Sequence, residues 1–158
     1  MHRQPLHQAY LGSDYVVTTP VGTVTVRADG PPIGAPAALA LVAGRRVTVV
    51  TAWNPRSIMQ SVVANRAANA RLGRDLRARR WQWWEAVGRE RTNSADAKSD
   101  AWAEDSYAVV DTDPEAVRQL AHVYGQNAVL VWDGGRGSIV WCEACPDPHC
   151  GVTNAVAL

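Results

Sequence analysis

Six positions between residues 58 and 76 recur at spacings of 4, 3, 4, 3 and 4: Ile58, Val62, Asn65, Asn69, Leu72 and Leu76. Such a seam is one face of an amphipathic helix. The helix is expected to run from about Pro55 to Arg79, with Asn54 as its N-cap and Pro55 at its first position. Its unusual feature is chemical. Two asparagines occupy the middle of the face that must be buried. A buried amide has to be hydrogen-bonded, so this face demands polar partners or a ligand.

The segments around the helix read mostly as strands. Tyr15–Thr19 and Thr23–Arg27 flank a Pro-Val-Gly turn, and Arg46–Trp53 is a β-branched, apolar run suited to a buried strand. Residues 29–36, rich in Gly and Pro, read as a loop. Residues 81–88 and 106–111 supply two further strands, and the polar stretch 89–101 reads as a loop between them. Asp113-Pro114 opens a second helix whose stripe is Val117, Leu120, Ala121 and Tyr124, with Gly125 placed to end it. A turn at residues 133–137 joins Ala128–Trp132 to Ser138–Trp141 as a hairpin. The order ββ-β-α-β-β-α-β-β indicates an α+β fold, a mixed or mainly antiparallel sheet with two helices. Residues 1–141 form the domain and residues 142–158 a cysteine-containing tail.

Composition narrows the function classes. A chain of 158 residues, 47% hydrophobic and 20% charged, suits a single globular domain. A net charge of +1 argues against nucleic acid as a partner. The longest apolar stretch, residues 36–43, is too short to span a bilayer, and no signal-peptide pattern is visible at the start. The 3 cysteines all lie near the C-terminus, which suits a reducing, cytoplasmic compartment rather than a disulfide framework. Charge is unevenly placed, with arginine dominating residues 56–80 and acids dominating residues 96–115.

One ordered set of residues carries a resemblance: Thr51-Ala-Trp-Asn-Pro-Arg-Ser57, Asn65, Trp102-x-Glu104-x-Ser106, Leu120-Ala121 and Gly125-Gln-Asn-Ala128. In this order they resemble the bacterial and phage family catalogued as domain of unknown function 3293, over about residues 8 to 141. The chain departs from the family pattern at Ala64, where the family usually carries an acid, and at the polar run from Thr92 to Asp100. The resemblance implies important positions without implying a reaction.

Three candidate sites follow. The first is an amide-rich cluster of Asn54, Ser57, Asn65, Asn69, Glu104, Ser106, Gln126 and Asn127, suited to a small polar ligand. A helix N-terminus at Asn54 would add affinity for a phosphorylated one. Glu104 is the single candidate general base, but no nucleophile–base pair accompanies it, which favours a binding domain over an enzyme. Against both readings stands a purely structural hydrogen-bond network with Asn54 as a cap. The second is Cys142, Cys145 and Cys150, where Cys-x-x-Cys at a strand end suits a structural zinc, with His7 or His2 able to complete the set; three free thiols are the alternative. The third is the arginine face, Arg56, Arg66, Arg74 and Arg77. It either pairs with the acidic segment in solvent or serves a protein-interaction module, such as a phage or mobile-element factor acting on a host protein. Trp81, Trp83 and Trp84 are expected to pack in the core, and His122 to face solvent.

Overall fold

A computed structural model describes residues 3–91 and 102–143. Its elements in chain order are α1 (Arg3–Leu11), β1 (Ser13–Thr19), β2 (Gly22–Val26), β3 (Ile33–Gly34), α2 (Pro36–Ala43), β4 (Arg46–Val50), α3 (Val62–Ala78), β5 (Gln82–Glu90), β6 (Ala103–Val110), α4 (Pro114–Val123), β7 (Ala128–Asp133) and β8 (Arg136–Trp141). The α+β class holds. The eight strands among the described residues join one sheet in the order β3-β2-β1-β5-β6-β4-β7-β8. Every pairing is antiparallel.

The sheet curls until β8 meets the chain just beyond β2. Gly137 on β8 lies so close to the chain just beyond β2 that a Cβ there would sit 2.1 Å from the Arg27 carbonyl oxygen. Strand alternation then sorts the side chains into an inside and an outside. Val17, Val24, Val47, Trp84, Ala108, Val110, Leu130 and Trp132 fill the interior. Val50, Val109, Val129 and Val131 point outward against Leu72 and Leu76 of α3 and Val117, Leu120 and Ala121 of α4. Trp81 and Trp83 join this outer layer and Trp84 the inner one, so the aromatic strand is core packing.

Two of the four helices among the described residues have no counterpart in the sequence reading. Helix α2 is apolar on every side, so its sequence shows no amphipathic stripe, and its small residues let it close one end of the barrel through Ala38 and Val42. Helix α1 sits at the opposite end, where Tyr10 and Leu11 pack on the interior cluster. The long helix also starts later than expected. Pro55–Ser57 forms a single 3-10 turn, an extended stretch follows, and α3 begins at Val62 with the Ser61 hydroxyl accepting the Ala64 N–H. Ile58 therefore lies outside the helix, and Val62 in its first turn is exposed. Strand β5 reaches Glu90, beyond the expected boundary with the loop, and β6 begins at Ala103. The remainder of that loop, residues 92–101, lies outside the described residues.

Candidate functional site

The Thr51–Ser57 motif is the turn that leaves β4 at the α1 end of the barrel. Its backbone is unusual: Asn54, Arg56 and Ser57 have φ values of 45°, 58° and 58°. Left-handed non-glycine residues cost about 1–3 kcal/mol each and persist only when their surroundings hold them. Asn54 and Pro55 open only the short 3-10 turn and not the long helix, and the Asn54 side chain makes no capping bond there. That side chain works inside a network instead.

That network joins four elements. The Asn54 N–H donates to Asn65 Oδ1 at 2.9 Å, and Asn65 Nδ2 returns a bond to Asn54 Oδ1 at 2.9 Å. The Gln60 N–H also donates to Asn54 Oδ1, at 3.0 Å. Just beyond α4, Gly125 has φ 71° and its carbonyl accepts the Arg56 N–H at 2.7 Å. The next residue, Gln126, donates through Nε2 to the Trp53 carbonyl at 2.9 Å, and Asn127 Nδ2 donates to Ser57 Oγ at 2.8 Å. Asn69 acts one turn further along α3, where its Oδ1 accepts the Ala52 N–H at 3.1 Å. Both helix asparagines are buried, as the seam required. Their amides clamp the turn that leads from sheet to helix.

Glu104 links this clamp to the barrel. Asn54 Nδ2 donates to Glu104 Oε1 at 3.0 Å. On β6, Glu104 shares the inward face with Ser106, Ala108 and Val110, and it stands in register with Gly88 of β5. Ser106, the eighth residue of the expected cluster, is buried and donates to the Glu104 carbonyl at 3.1 Å. Burial raises the Glu104 carboxyl above its ordinary value, and the bond from Asn54 opposes the rise.

The clamp forms one wall of a cleft of about 210 Å³. Leu6, Ala9 and Tyr10 of α1 form the facing wall, and Trp53, Met59 and Trp102 supply apolar surface. Of the expected cluster, Asn54, Ser57, Glu104, Gln126 and Asn127 line the cleft, while Asn65 and Asn69 stand behind them. Burial pushes the Tyr10 hydroxyl well above the usual tyrosine range, so it remains a protonated donor. Trp53 Nε1 is buried without a hydrogen-bond partner among the described residues. Sequence reasoning missed Leu6, Ala9 and Tyr10. Their i, i+3, i+4 spacing was the available signal, on a segment with a weak apolar face and no acid in its first turn.

The other two candidates fare differently. Cys142 is buried, its N–H bonded to the Asn127 carbonyl at 2.8 Å, and burial pushes its thiol up to about 11. Cys145, His149, Cys150 and His2 lie outside the described residues, and no group of three or more His, Cys, Asp or Glu among the described residues is placed to hold a metal ion. On α3, Arg66, Arg71, Arg74 and Arg77 are exposed. Arg56 belongs to the turn and not to the helix. The expected pairing with the acidic segment is absent among the described residues, because Asp111 pairs with Arg45 and Glu115 with Arg118, while Asp113 caps α4. His122 is exposed, as expected.

The family model described as Protein of unknown function (DUF3293) matches residues 50–129, a span that contains the strained turn, α3, Glu104 and the Gly125–Asn127 wall. The chain belongs to this family. Neither a curated protein nor a solved structure matches it. No helix among the described residues is long and apolar enough to cross a membrane.

Proposed function

We propose that this is a cytoplasmic domain that binds a small organic ligand with polar groups in the cleft at the α1 end of the barrel. One observation carries the reading. A backbone turn with three left-handed non-glycine residues is held by Asn65 and Asn69 of α3 and by Gln126 and Asn127 just beyond α4, and the last two, with Asn54, also line a concave, partly apolar cleft. A network needed only to cap a helix has no use for this, since Ser61 already caps α3. Mouths of β-barrels are recurrent ligand sites, and pockets of this kind join apolar walls to a few fixed polar groups. Phosphate is not the favoured group, because Asn54 opens only a single 3-10 turn and a carboxyl group lines the cleft.

The test is a fragment screen by ligand-observed NMR on wild type and on Ala9→Trp. Ala9 is exposed and lines the cleft, so an indole there fills the mouth without entering the core. Hits lost in the variant support the reading, and hits that persist in both proteins count against it.

A second reading rests on α3. Between Val62 and Ala78 its only acid is Asp75, whose carboxylate is taken by the Tyr124 hydroxyl at 2.5 Å. The exposed Arg66, Arg71, Arg74 and Arg77 outnumber this single acid and leave a basic face suited to an acidic protein partner. Loss of such a partner in Arg74→Glu/Arg77→Glu, with fragment binding retained, would separate this role from that of the cleft.

A further inference from the structure

The cleft continues inward. Behind it lies a second, more enclosed space of about 50 Å³ within the barrel, and Tyr10, Trp102, Glu104 and Gln126 line both. This throat exists because the residue paired with Glu104 is Gly88, which contributes no side chain. The nearest groups to a Cβ built at Gly88 are the rings of Tyr15, at 3.5 Å, and Trp102, at 3.8 Å.

Three features of the throat agree in sign. First, the carboxyl of Glu104 is half-buried and no Arg, Lys or His among the described residues pairs with it. Asn54 donates to Oε1, whereas Oε2 has no donor among the described residues. A carboxylate removed from water without a counter-charge is unfavourable, and a cation restores the balance. Second, Tyr10, Tyr15 and Trp102 line the same space. Ring faces attract cations and repel anions. Third, the space of about 50 Å³ exceeds the roughly 10–15 Å³ that one water-sized probe needs on the same measure, so an ammonium or methylammonium group fits.

Resting on the cleft reading, we infer that the ligand carries a primary ammonium head that enters the throat against Glu104, with its less polar remainder in the outer cleft between Trp53, Trp102 and α1. Asn54 positions the carboxylate. Gln126 and Ser106 offer further polar contacts at the same depth.

The probes are three small molecules of one shape and different charge: 2-phenylethylamine, 2-phenylethanol and phenylacetate. Calorimetric titration of the full chain at neutral pH is expected to show the amine binding at least tenfold more tightly than the alcohol, and phenylacetate more weakly than either. Glu104→Gln keeps the shape and the bond from Asn54, and should reduce the preference for amine over alcohol to less than twofold. Gly88→Ala adds a methyl at ordinary contact distance from Tyr15, so the protein folds while the throat fills, and amine affinity should fall several-fold with little change for the alcohol. Equal affinity for amine and alcohol in wild type, or an undiminished preference in Glu104→Gln, overturns the inference. Binding by none of the three also overturns it. In that event, fragment hits that Ala9→Trp abolishes leave the cleft reading standing, whereas the absence of such hits removes both.

Discussion

Replacing Asn65 by Leu removes the centre of the clamp while keeping a side chain of similar size. Three contacts disappear: the acceptor for the Asn54 N–H, the donor to Asn54 Oδ1, and a longer bond of 3.4 Å to the Gln60 carbonyl. The orphaned backbone N–H costs about 1–3 kcal/mol, and the two lost donations about 1 kcal/mol each. The buried Leu returns about 2 kcal/mol of apolar transfer. The net destabilisation is about 2 kcal/mol, partly limited by relaxation of the strained turn. For a domain of this size that lowers Tm by about 4–8 °C. Thermal unfolding followed by circular dichroism reads the change. The cleft reading requires more than lost stability. Once released, Asn54 no longer fixes Glu104, so affinity for any cleft ligand should fall at least tenfold at a temperature where the variant is folded. Asn69→Leu is the control, since it orphans only the Ala52 N–H, away from the cleft, and should keep the affinity. If Asn65→Leu melts with wild type, or melts lower but binds as well, the clamp does not serve the cleft.

Glu104→Gln should melt above wild type at neutral pH. Burial raises the carboxyl, so between the ordinary carboxylate value and the raised one the folded protein holds a proton that the unfolded chain has released; this contribution to stability is lost as pH rises through the raised value, above which a partly buried carboxylate without a counter-charge remains. The gap should close below about pH 4, where both side chains are neutral; a gap of equal size at both pH values would contradict it. Asp14 should behave oppositely. Burial pushes its carboxyl up, but Arg27 at 2.7 Å and Arg91 at 3.0 Å outweigh that and hold it below the ordinary value. Its contribution is complete above the ordinary carboxylate pKa and lost as pH falls through the lowered one, so the acid limb of stability should flatten in Asp14→Asn, which also loses about 3 kcal/mol near neutrality by urea unfolding. At the barrel seam, Gly137→Ala places a methyl against the Arg27 carbonyl and should cost about 1–3 kcal/mol by the same assay, and an unchanged midpoint would mean the seam gives way freely.

The sequence carried the asparagine clamp because burial of an amide is visible in periodicity: Asn65 and Asn69 fall on the seam with Leu72 and Leu76, and both are buried. It also carried most strands and the left-handed stop at Gly125. It misled where local chemistry fits two structures. Asn54-Pro55 is equally at home opening a helix and entering a left-handed turn, because Asn tolerates both and Pro suits either. The turn prevails here because Ser61 supplies the cap and because Asn65 and Gly125 bond the backbone of residues 54 and 56. Closure of the sheet left almost no local trace, since it depends on Gly137 meeting Arg27 across 110 residues of chain. Tyr10 and the far wall of the cleft were hidden for the same reason, as α1 acquires its meaning only once the barrel has a mouth to cover.

The central claim is best tested by the indole N–H resonances of ¹⁵N-labelled protein during titration with 2-phenylethylamine. The chain has 7 tryptophans, of which Trp53 and Trp102 line the cleft while Trp84 and Trp132 lie in the core. A cleft ligand is expected to move the Trp53 and Trp102 signals along one saturating curve, to leave Trp84 and Trp132 nearly still, and to lose this effect in Ala9→Trp. Saturating shifts at Trp81 or Trp83 with Trp53 and Trp102 unmoved would place the ligand elsewhere and contradict the account.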